Sequence, residues 1–504
     1  METNTSSSID VPRTEQVSID DEQRIKVEWS KDDPQHPFNW SKKKKWSTAL
    51  CALLFNSSTA CNGTAYAAAR IQGSMGVGVS QTVWLLGMTT YLVPLATAPL
   101  LLAPLTERTG RRPTCVIAMI IYVAMFLPQA LVPRIDAILA SRFVQGAAGS
   151  VGNTMVSATL TDLFPKEERL IPLAVVVWCV FASQSIGSTG STWTVHDMNY
   201  QWVFWWLGAV ALGSLVVVIV FLPETRHTKL LQARANALTK QTGIKHYIYQ
   251  GPIQAKSQFW VTIERMTRPC VFFFTEPIVA TLALWVGFLW GVVFLSLEGI
   301  PIAMEPYGWI EPKRTSFLAL MALGASLGIA WQPISLRIYR RAKQNNHGLP
   351  PPPEIRLTWC TIAACMTCAS LFLYCWTARA SISPVVPAIG MVGFYWGVFE
   401  IYLSTLLYLA DAYETYAASG IACQALMRNI CSGTFPLFST QFYEKLSPPI
   451  ATSICASLAG VLGIAPFLLI RFGPMLRKRS AVAVLLQADE DQKQKETGDE
   501  KEKA

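Results

Sequence analysis

Long windows with almost no charged residues recur along the whole chain, and they constrain its fold more than any other feature. A helix needs about 20 mainly apolar residues to cross the roughly 30 Å of hydrocarbon in a bilayer. Such windows occur at residues 46–69, 83–105, 114–132, 137–161, 170–193, 202–222, 277–299, 315–336, 357–378, 383–410, 416–438 and 450–472. They are too long and too uniformly apolar for the alternating strands of a barrel. We therefore predict an all-α membrane protein with twelve transmembrane helices.

Composition agrees with this prediction. Charged residues make up 15% of the chain and hydrophobic residues 51%, whereas soluble domains carry roughly 25% charged residues. The stretch before Trp40 is polar and has no apolar core of the kind found in cleavable signals. The first window is therefore expected to remain as a permanent span.

The positions of lysine and arginine predict the orientation. Basic residues cluster before span 1 and in alternate connections, namely Lys42–Lys45, Arg108–Arg112, Lys166, Arg169, Arg337–Lys343 and Arg477–Arg479. The positive-inside rule then places these connections and both termini in the cytoplasm. The net charge of +9 follows from this asymmetry, so the expected environment is the lipid bilayer and no nucleic-acid partner is implied.

The longest internal connection divides the spans into two groups of six. We predict a cytoplasmic N-terminal tail at 1–45, a six-helix half at 46–222, a cytoplasmic linker at 223–276, a second six-helix half at 277–473 and a disordered cytoplasmic tail at 474–504. Two similar halves are typical of transporters that hold their substrate between repeats near the middle of the membrane.

A cluster of charged residues interrupts the apolar sequence between spans 2 and 3, in the stretch "LLAPLTERTGRRP". Gly110 allows a tight turn, and the surrounding charges keep the loop in the cytosol. The stretch resembles motif A of the major facilitator superfamily, in which this loop gates the two halves. The resemblance assigns gating to Glu107, Arg108, Gly110, Arg111 and Arg112.

Further stretches resemble fungal drug and metabolite exporters of the drug:proton antiporter branch, among them "RFVQGAAGS" and "YLADAYETYAASGIACQALMRNICSGTFPLF". The resemblance implies proton-coupled efflux of a small organic molecule by alternating access, by a plasma-membrane monomer. It implies no cofactor other than a proton gradient, and no enzymatic activity.

One motif departs from that branch. Span 5 carries "SQSIGS" where the antiporters have a Gly-Pro-x-Leu-Gly-Pro motif, so Gly187 remains but Gln184 and Ser188 replace the prolines. Gln184, Ser185 and Ser188 are candidates either for substrate binding or for bonds between helices. The loss of the prolines leaves a facilitator or importer on the same fold as the alternative, and a polytopic membrane enzyme as a weaker one.

Charges inside spans are costly and usually functional. Arg142, Glu400 and Arg428 are therefore candidates for proton coupling or for binding a substrate charge. Glu400 lies 11 positions before Asp411 and Arg428 lies 12 positions after Tyr416, which puts both at a depth of roughly 16–18 Å. An ion pair between them, either structural or coupled to protons, is geometrically possible.

The resemblance also implies that spans 1, 4, 7 and 10 line a substrate cavity. Aromatic walls with a few polar groups suit an amphipathic organic molecule, although ordinary packing explains any single member. The cavity candidates are Asn56, Asn62, Asn153, Gln184, Trp285, Tyr395 and Trp396.

Overall fold

The structure, a computed structural model, describes residues 25–30, 33–165, 168–243, 246–247, 258–347, 351–478 and 480. Over these residues the chain forms twelve long helical segments. Spans 1–6 are Lys42–Ala68, Gln81–Thr109, Arg111–Leu131, Ile135–Leu163, Leu170–Asp197 and Tyr200–Phe221. Spans 7–12 are Pro277–Ala303, Glu311–Asn345, Thr358–Thr377, Val385–Tyr413, Ala417–Leu446 and Pro448–Lys478. The predicted all-α fold of twelve helices is confirmed.

The packing of the spans repeats between the two groups of six. Span 1 packs along span 5 and span 7 along span 11, while span 4 contacts spans 2 and 3 just as span 10 contacts spans 8 and 9. Between the groups, span 2 packs against span 11 and span 5 against span 8. The pattern of contacts is thus the same when the spans of one half are exchanged for those of the other, as expected of two homologous halves.

Nine of the described helices are long and apolar enough to cross a membrane by length and composition, and spans 1, 4 and 11 are not among the nine. The exceptions are explained by their buried polar residues. Span 1 carries Asn56 and Asn62, span 4 carries Arg142 and Gln145, and span 11 carries Arg428, all of them less than a tenth exposed. These three helices therefore place polar side chains inside the bundle. Large apolar side chains, such as Phe221 on span 6, are exposed on the outer surface.

One end of the helix bundle carries Ser41, Gly110 and Lys478 and is named the motif face. The other end carries Gly78 and Gly308 and is named the opposite face. Span 1 begins four residues before the predicted boundary at Trp46, because the Ser41 hydroxyl accepts a hydrogen bond from the Lys44 amide and caps a helix that starts at Lys42. At the other end of the chain, the last helix runs through the predicted boundary at 473 to Lys478.

The connection between the halves contains two helices, His227–Thr242 and Gln258–Thr275. The described residues before span 1, 25–30 and 33–40, lie against the first of them. Asp33 forms an ion pair with Arg234, and the ring of His36 contacts the ring of His227 at a centroid distance of 4.6 Å. Strand β1 (Ile25–Lys26) also pairs in parallel with strand β2 (His246–Tyr247). The N-terminal segment and the linker thus form one layer at the motif face.

Candidate functional site

A central cavity lies between the two halves. Spans 1, 2, 4 and 5 contribute its wall on one side, and spans 7 and 11 contribute it on the other. The lining residues are Asn56, Thr59, Ala60, Gly63, Leu92, Leu95, Asn153, Val180, Gln184, Trp290, Phe294, Arg428 and Asn429. The wall therefore combines aromatic and aliphatic surface with a small number of polar groups, as in sites for small organic molecules.

Four predicted site residues meet at this cavity, namely Asn56, Asn153, Gln184 and Arg428. Asn429 also lines the cavity. It was not predicted from the sequence, although it lies next to the predicted residue Arg428. Span 10 contributes no residue to this lining, while spans 2, 5 and 11 do, so the wall differs from the expected set of spans 1, 4, 7 and 10.

The predicted aromatic residues lie behind the cavity wall. Tyr395 is fully buried, and its hydroxyl is 3.0 Å from the Ser296 hydroxyl on span 7. Trp285 is buried within span 7, and Trp396 contacts the ring of Trp331 on span 8. Tyr395 and Trp396 contact neighbouring helices of the second half, and none of the three residues lines the cavity.

Arg142 lies in a polar network inside the first half, away from the cavity. Its Nε donates to the carbonyl of Gly87 at 2.7 Å and its Nη1 to Oδ1 of Asn62 at 3.3 Å. The guanidinium lies 4.0 Å from the ring centre of Tyr66 and 4.8 Å from that of Tyr91. Arg142 therefore connects span 4 to spans 1 and 2.

Asn62 belongs to the same network. Its Nδ2 donates to Oε1 of Gln145 at 2.9 Å, and the Gln129 amide donates to that same oxygen at 3.0 Å. Asn62 is fully buried and points towards span 4, so this predicted cavity residue is part of the internal packing of the half.

Glu400 and Arg428 do not form the ion pair that their depths made possible. Oε1 of Glu400 accepts a hydrogen bond from Gln332 on span 8 at 2.8 Å, whereas Arg428 donates from Nη1 to the hydroxyl of Tyr402. Glu400 and Tyr402 are two positions apart on span 10, which places them about 200° apart around the helix. Span 11 meets the side that carries Tyr402, and the carboxylate faces span 8.

The altered stretch on span 5 forms an unbroken helix from Leu170 to Asp197. The Ser188 hydroxyl bonds to the carbonyls of Gln184 and Ser185 within that helix. A Cβ at Gly187 would lie 2.2 Å from the carbonyl oxygen of Cys61, so the remaining glycine allows close contact between spans 5 and 1. Of the polar residues in this stretch, Gln184 is the one that lines the cavity.

Bonds between the halves close the bundle near the opposite face. Arg70, just beyond span 1, forms an ion pair with Glu298 on span 7 and donates to the Thr440 hydroxyl on span 11 at 3.0 Å. The indole of Trp193 donates to the Ser316 hydroxyl at 3.2 Å. The Arg70–Glu298 pair was not predicted from the sequence, although the two charges lie towards the same end of the first span of each half.

The charged loop at Gly110 is held within the first half. Gly110 has φ +104°, a conformation that favours glycine, and the carboxylate of Glu224 accepts bonds from the backbone amides of Arg111 and Arg112 at 3.0 and 3.2 Å. The Arg111 side chain pairs with Asp162 on span 4 at 3.3 Å. Arg112 donates to the carbonyl of Ile219, while the side chains of Glu107 and Arg108 lie outside the described part of the chain.

The second half contains a corresponding set of bonds. Arg356, before span 9, donates to Asp411 at the end of span 10 at 2.8 Å, as Arg111 does to Asp162. Glu354 accepts two bonds from Arg477 near the end of span 12, at 3.1 and 3.0 Å. In this conformation both motif-face clusters stabilise their own half.

Comparisons with known proteins agree with this geometry. The family model described as Major Facilitator Superfamily matches residues 48–436. The efflux pump FUB11 of Gibberella fujikuroi is 30% identical over 412 residues, which cover 81% of this chain and 71% of that protein. The major facilitator superfamily multidrug transporter mdrA of Aspergillus fumigatus is 28% identical over 469 residues, covering 92% and 76%.

Among solved structures, the proton:xylose symporter XylE bound to 6-bromo-6-deoxy-D-glucose superposes with a TM-score of 0.60. The alignment covers 86% of this chain and 96% of that one at 14% identity. At this identity the likeness concerns the fold alone.

Proposed function

Because this chain belongs to the Major Facilitator Superfamily, we propose that it is a secondary active transporter that exports a small organic molecule by alternating access. The outward direction is supported by the names of relatives described as efflux pumps and multidrug transporters. The match covers the first six-helix half and continues through the second half to residue 436, within the span that carries Arg428.

The observation that carries the proposal is the cavity between the halves. Its lining comes from six helices of both halves, so a rocking motion of one half against the other would expose the same residues to either side in turn. A polytopic enzyme would need a reactive constellation in this position, and the lining residues provide binding groups only.

The pattern of bonds between the halves supports a particular conformational state. The Arg70–Glu298 pair and the Trp193–Ser316 bond lie towards the opposite face, whereas the charged clusters at the motif face bind within their own halves. With the motif face in the cytoplasm, this is the arrangement of an inward-facing transporter. We extend the proposal to cytoplasmic termini, a plasma-membrane location and a monomer.

Two buried carboxylates are candidates for proton coupling. Glu400 has Gln332 as its hydrogen-bond partner, and Glu298 pairs with Arg70 across the halves. Protonation of Glu298 would weaken a bond that closes the opposite face, which links a proton directly to the conformational change. Glu298 joins Glu400, Arg142 and Arg428 as a candidate, and the position of Arg142 favours a structural role for it.

The experiment is uptake into inside-out membrane vesicles that contain the protein. Three radiolabelled probes of one shape and different charge are 1-naphthoate, 1-naphthamide and 1-naphthylmethylammonium. Accumulation of any probe that exceeds vesicles without the protein, and that collapses when an ionophore removes the pH gradient, supports coupled export. Equilibration without accumulation supports the facilitator alternative, and no flux of any probe contradicts both.

A further inference from the structure

Four buried polar atoms at the cavity wall have no hydrogen-bond partner among the described residues. They are Nδ2 of Asn56, Oε1 of Gln184, Nε of Arg428 and Nδ2 of Asn429. Each of these residues is at most 7% exposed. Since a buried polar atom without a partner costs about 1–3 kcal/mol, their convergence on one cavity indicates a ligand that supplies the missing bonds.

Three of the four atoms are hydrogen-bond donors, and one belongs to a cation. Arg428 is the only charged residue in the cavity lining. Its one hydrogen bond goes to the neutral hydroxyl of Tyr402, and it makes no ion pair within the part of the chain that the structure describes. The wall therefore presents an uncompensated positive charge, which disfavours a cationic ligand and favours an anionic one.

The geometry around Arg428 also restricts how an anion can bind. The guanidinium lies 5.0 Å from the ring centre of Trp290 and 5.2 Å from that of Tyr402, so its position is fixed by two aromatic faces. A planar guanidinium offers parallel N–H groups that match the two oxygens of a carboxylate. Asn429 is the next residue along the helix and supplies a further donor.

The rest of the wall determines what the anion is attached to. Trp290 and Phe294 from span 7 face Leu92 and Leu95 from span 2 and Val180 from span 5. This surface suits an aromatic or otherwise apolar body, and Asn56 and Gln184 on the first half can bond to a single polar substituent.

We propose that the substrate class is an amphipathic organic anion, with a carboxylate bound by Arg428 and Asn429 and an aromatic body against Trp290 and Phe294. The assignment rests on the proposed function, and it names the cargo of that same cavity. The two cavity walls then have different roles, since the second half binds the charge and the first half binds the neutral part.

The test measures the Kd of purified, detergent-solubilised protein for the three naphthalene probes, alongside their flux. We expect 1-naphthoate to bind at least tenfold more tightly than the amide or the ammonium. Arg428→Gln should abolish that preference because it weakens the binding of 1-naphthoate more than that of the other two probes, and Arg428→Lys should retain part of the preference. Arg379→Gln removes an equal charge from an exposed position next to the opposite face and should change nothing.

The outcomes separate the two proposals. Equal or tighter binding of the ammonium, unchanged selectivity in Arg428→Gln, or no binding of 1-naphthoate by folded protein would each overturn the anion assignment. In those cases, coupled flux of the amide or the ammonium would still support export. Absence of flux for all three probes counts against the proposed function itself.

Discussion

Among the residues that the structure describes, each half buries one arginine in its spans, and the two have different surroundings. Arg142 is fully enclosed, bonds to a backbone carbonyl and an amide oxygen from two other helices, and lies between two tyrosine rings. Arg428 lines the cavity and bonds to one hydroxyl. Arg142 therefore connects helices within the first half, whereas Arg428 in the second half remains available to bind a ligand.

The buried acids show the same asymmetry. Among the described residues of the spans, the carboxylates that are less than a tenth exposed, Glu298 and Glu400, both belong to the second half. In the first half, buried side-chain amides form hydrogen bonds with one another, as in the group Asn62, Gln145 and Gln129. The difference indicates that the first half has mainly a structural role. The second half carries the groups that can gain or lose a proton or can bind a charged ligand.

The largest expected effect tests the two arginines against each other. Arg142→Leu removes bonds to spans 1 and 2 and should lower the free energy of unfolding by about 2–4 kcal/mol. Arg428→Leu removes a single bond to a side-chain hydroxyl and should lower the free energy of unfolding by about 1 kcal/mol or less. Thermal unfolding of both variants in the same detergent measures the difference.

A smaller loss of stability in Arg142→Leu than in Arg428→Leu would reverse the comparison. It would mean that Arg428 stabilises the bundle and that its contacts with Trp290 and Tyr402 are structural.

The next prediction concerns the ion pair that joins the first half to the second half. Glu298→Gln removes the ion pair with Arg70 and should shift the conformational ratio roughly tenfold, equivalent to about 1.4 kcal/mol, towards a state open at the opposite face. Spin labels at the exposed positions Met75 and Ile310, one on each half, would report this as a longer distance in the double electron–electron resonance distribution.

The exchanged pair Arg70→Glu with Glu298→Arg should restore the parent distribution. Arg134→Gln provides the control, since its pair with Asp136 is exposed and lies within one half. If Glu298→Gln leaves the distance distribution unchanged, the pair does not hold the halves together.

A severalfold effect is expected for the acid of the second half. Glu400→Gln retains a side chain that can accept the bond from Gln332 but cannot exchange a proton, so folding and probe binding should persist while the response of flux to a pH gradient disappears. Glu305→Gln, which changes an exposed acid, should keep the parent response. Equal gradient dependence in Glu400→Gln and the parent protein would assign Glu400 a structural role.

The last comparison concerns the charged turns of the two halves. The turn before span 3 uses Gly110 at φ +104°, whereas the chain before span 9 is set by Pro352 and Pro353. Gly110→Ala introduces backbone strain and a Cβ 2.7 Å from the Glu224 carboxylate, and should cost about 1–2 kcal/mol. Gly213→Ala, at a helical position with open space around it, should be neutral or stabilising in the same melting assay.

The spans were predictable because burial in hydrocarbon imposes a length and an apolar composition on each of them. Spans 1, 4 and 11 were recognised in spite of their polar residues, since isolated polar positions do not break a window of 20 residues. The helix that contains span 1 begins four residues before the predicted span, because Ser41 caps a helix that includes the four lysines.

The site was predictable only in part, because sequence gives the depth of a residue and not its direction around the helix. Glu400 and Arg428 have matching depths but point to different neighbours, and Asn62 faces span 4 whereas Asn56 faces the cavity. The Arg70–Glu298 pair joins residues more than 200 positions apart, and a contact of that kind appears only when the halves are docked.

The layer at the motif face has a consequence for the order of synthesis. Residues 25–30 and 33–40 leave the ribosome before any span, but Arg234, His227 and strand β2 follow only after six spans have been made. These residues cannot reach their final position until the whole first half has been synthesised. The segment therefore docks later than the spans that follow it in the sequence, and its docking marks the completion of the first half during biogenesis.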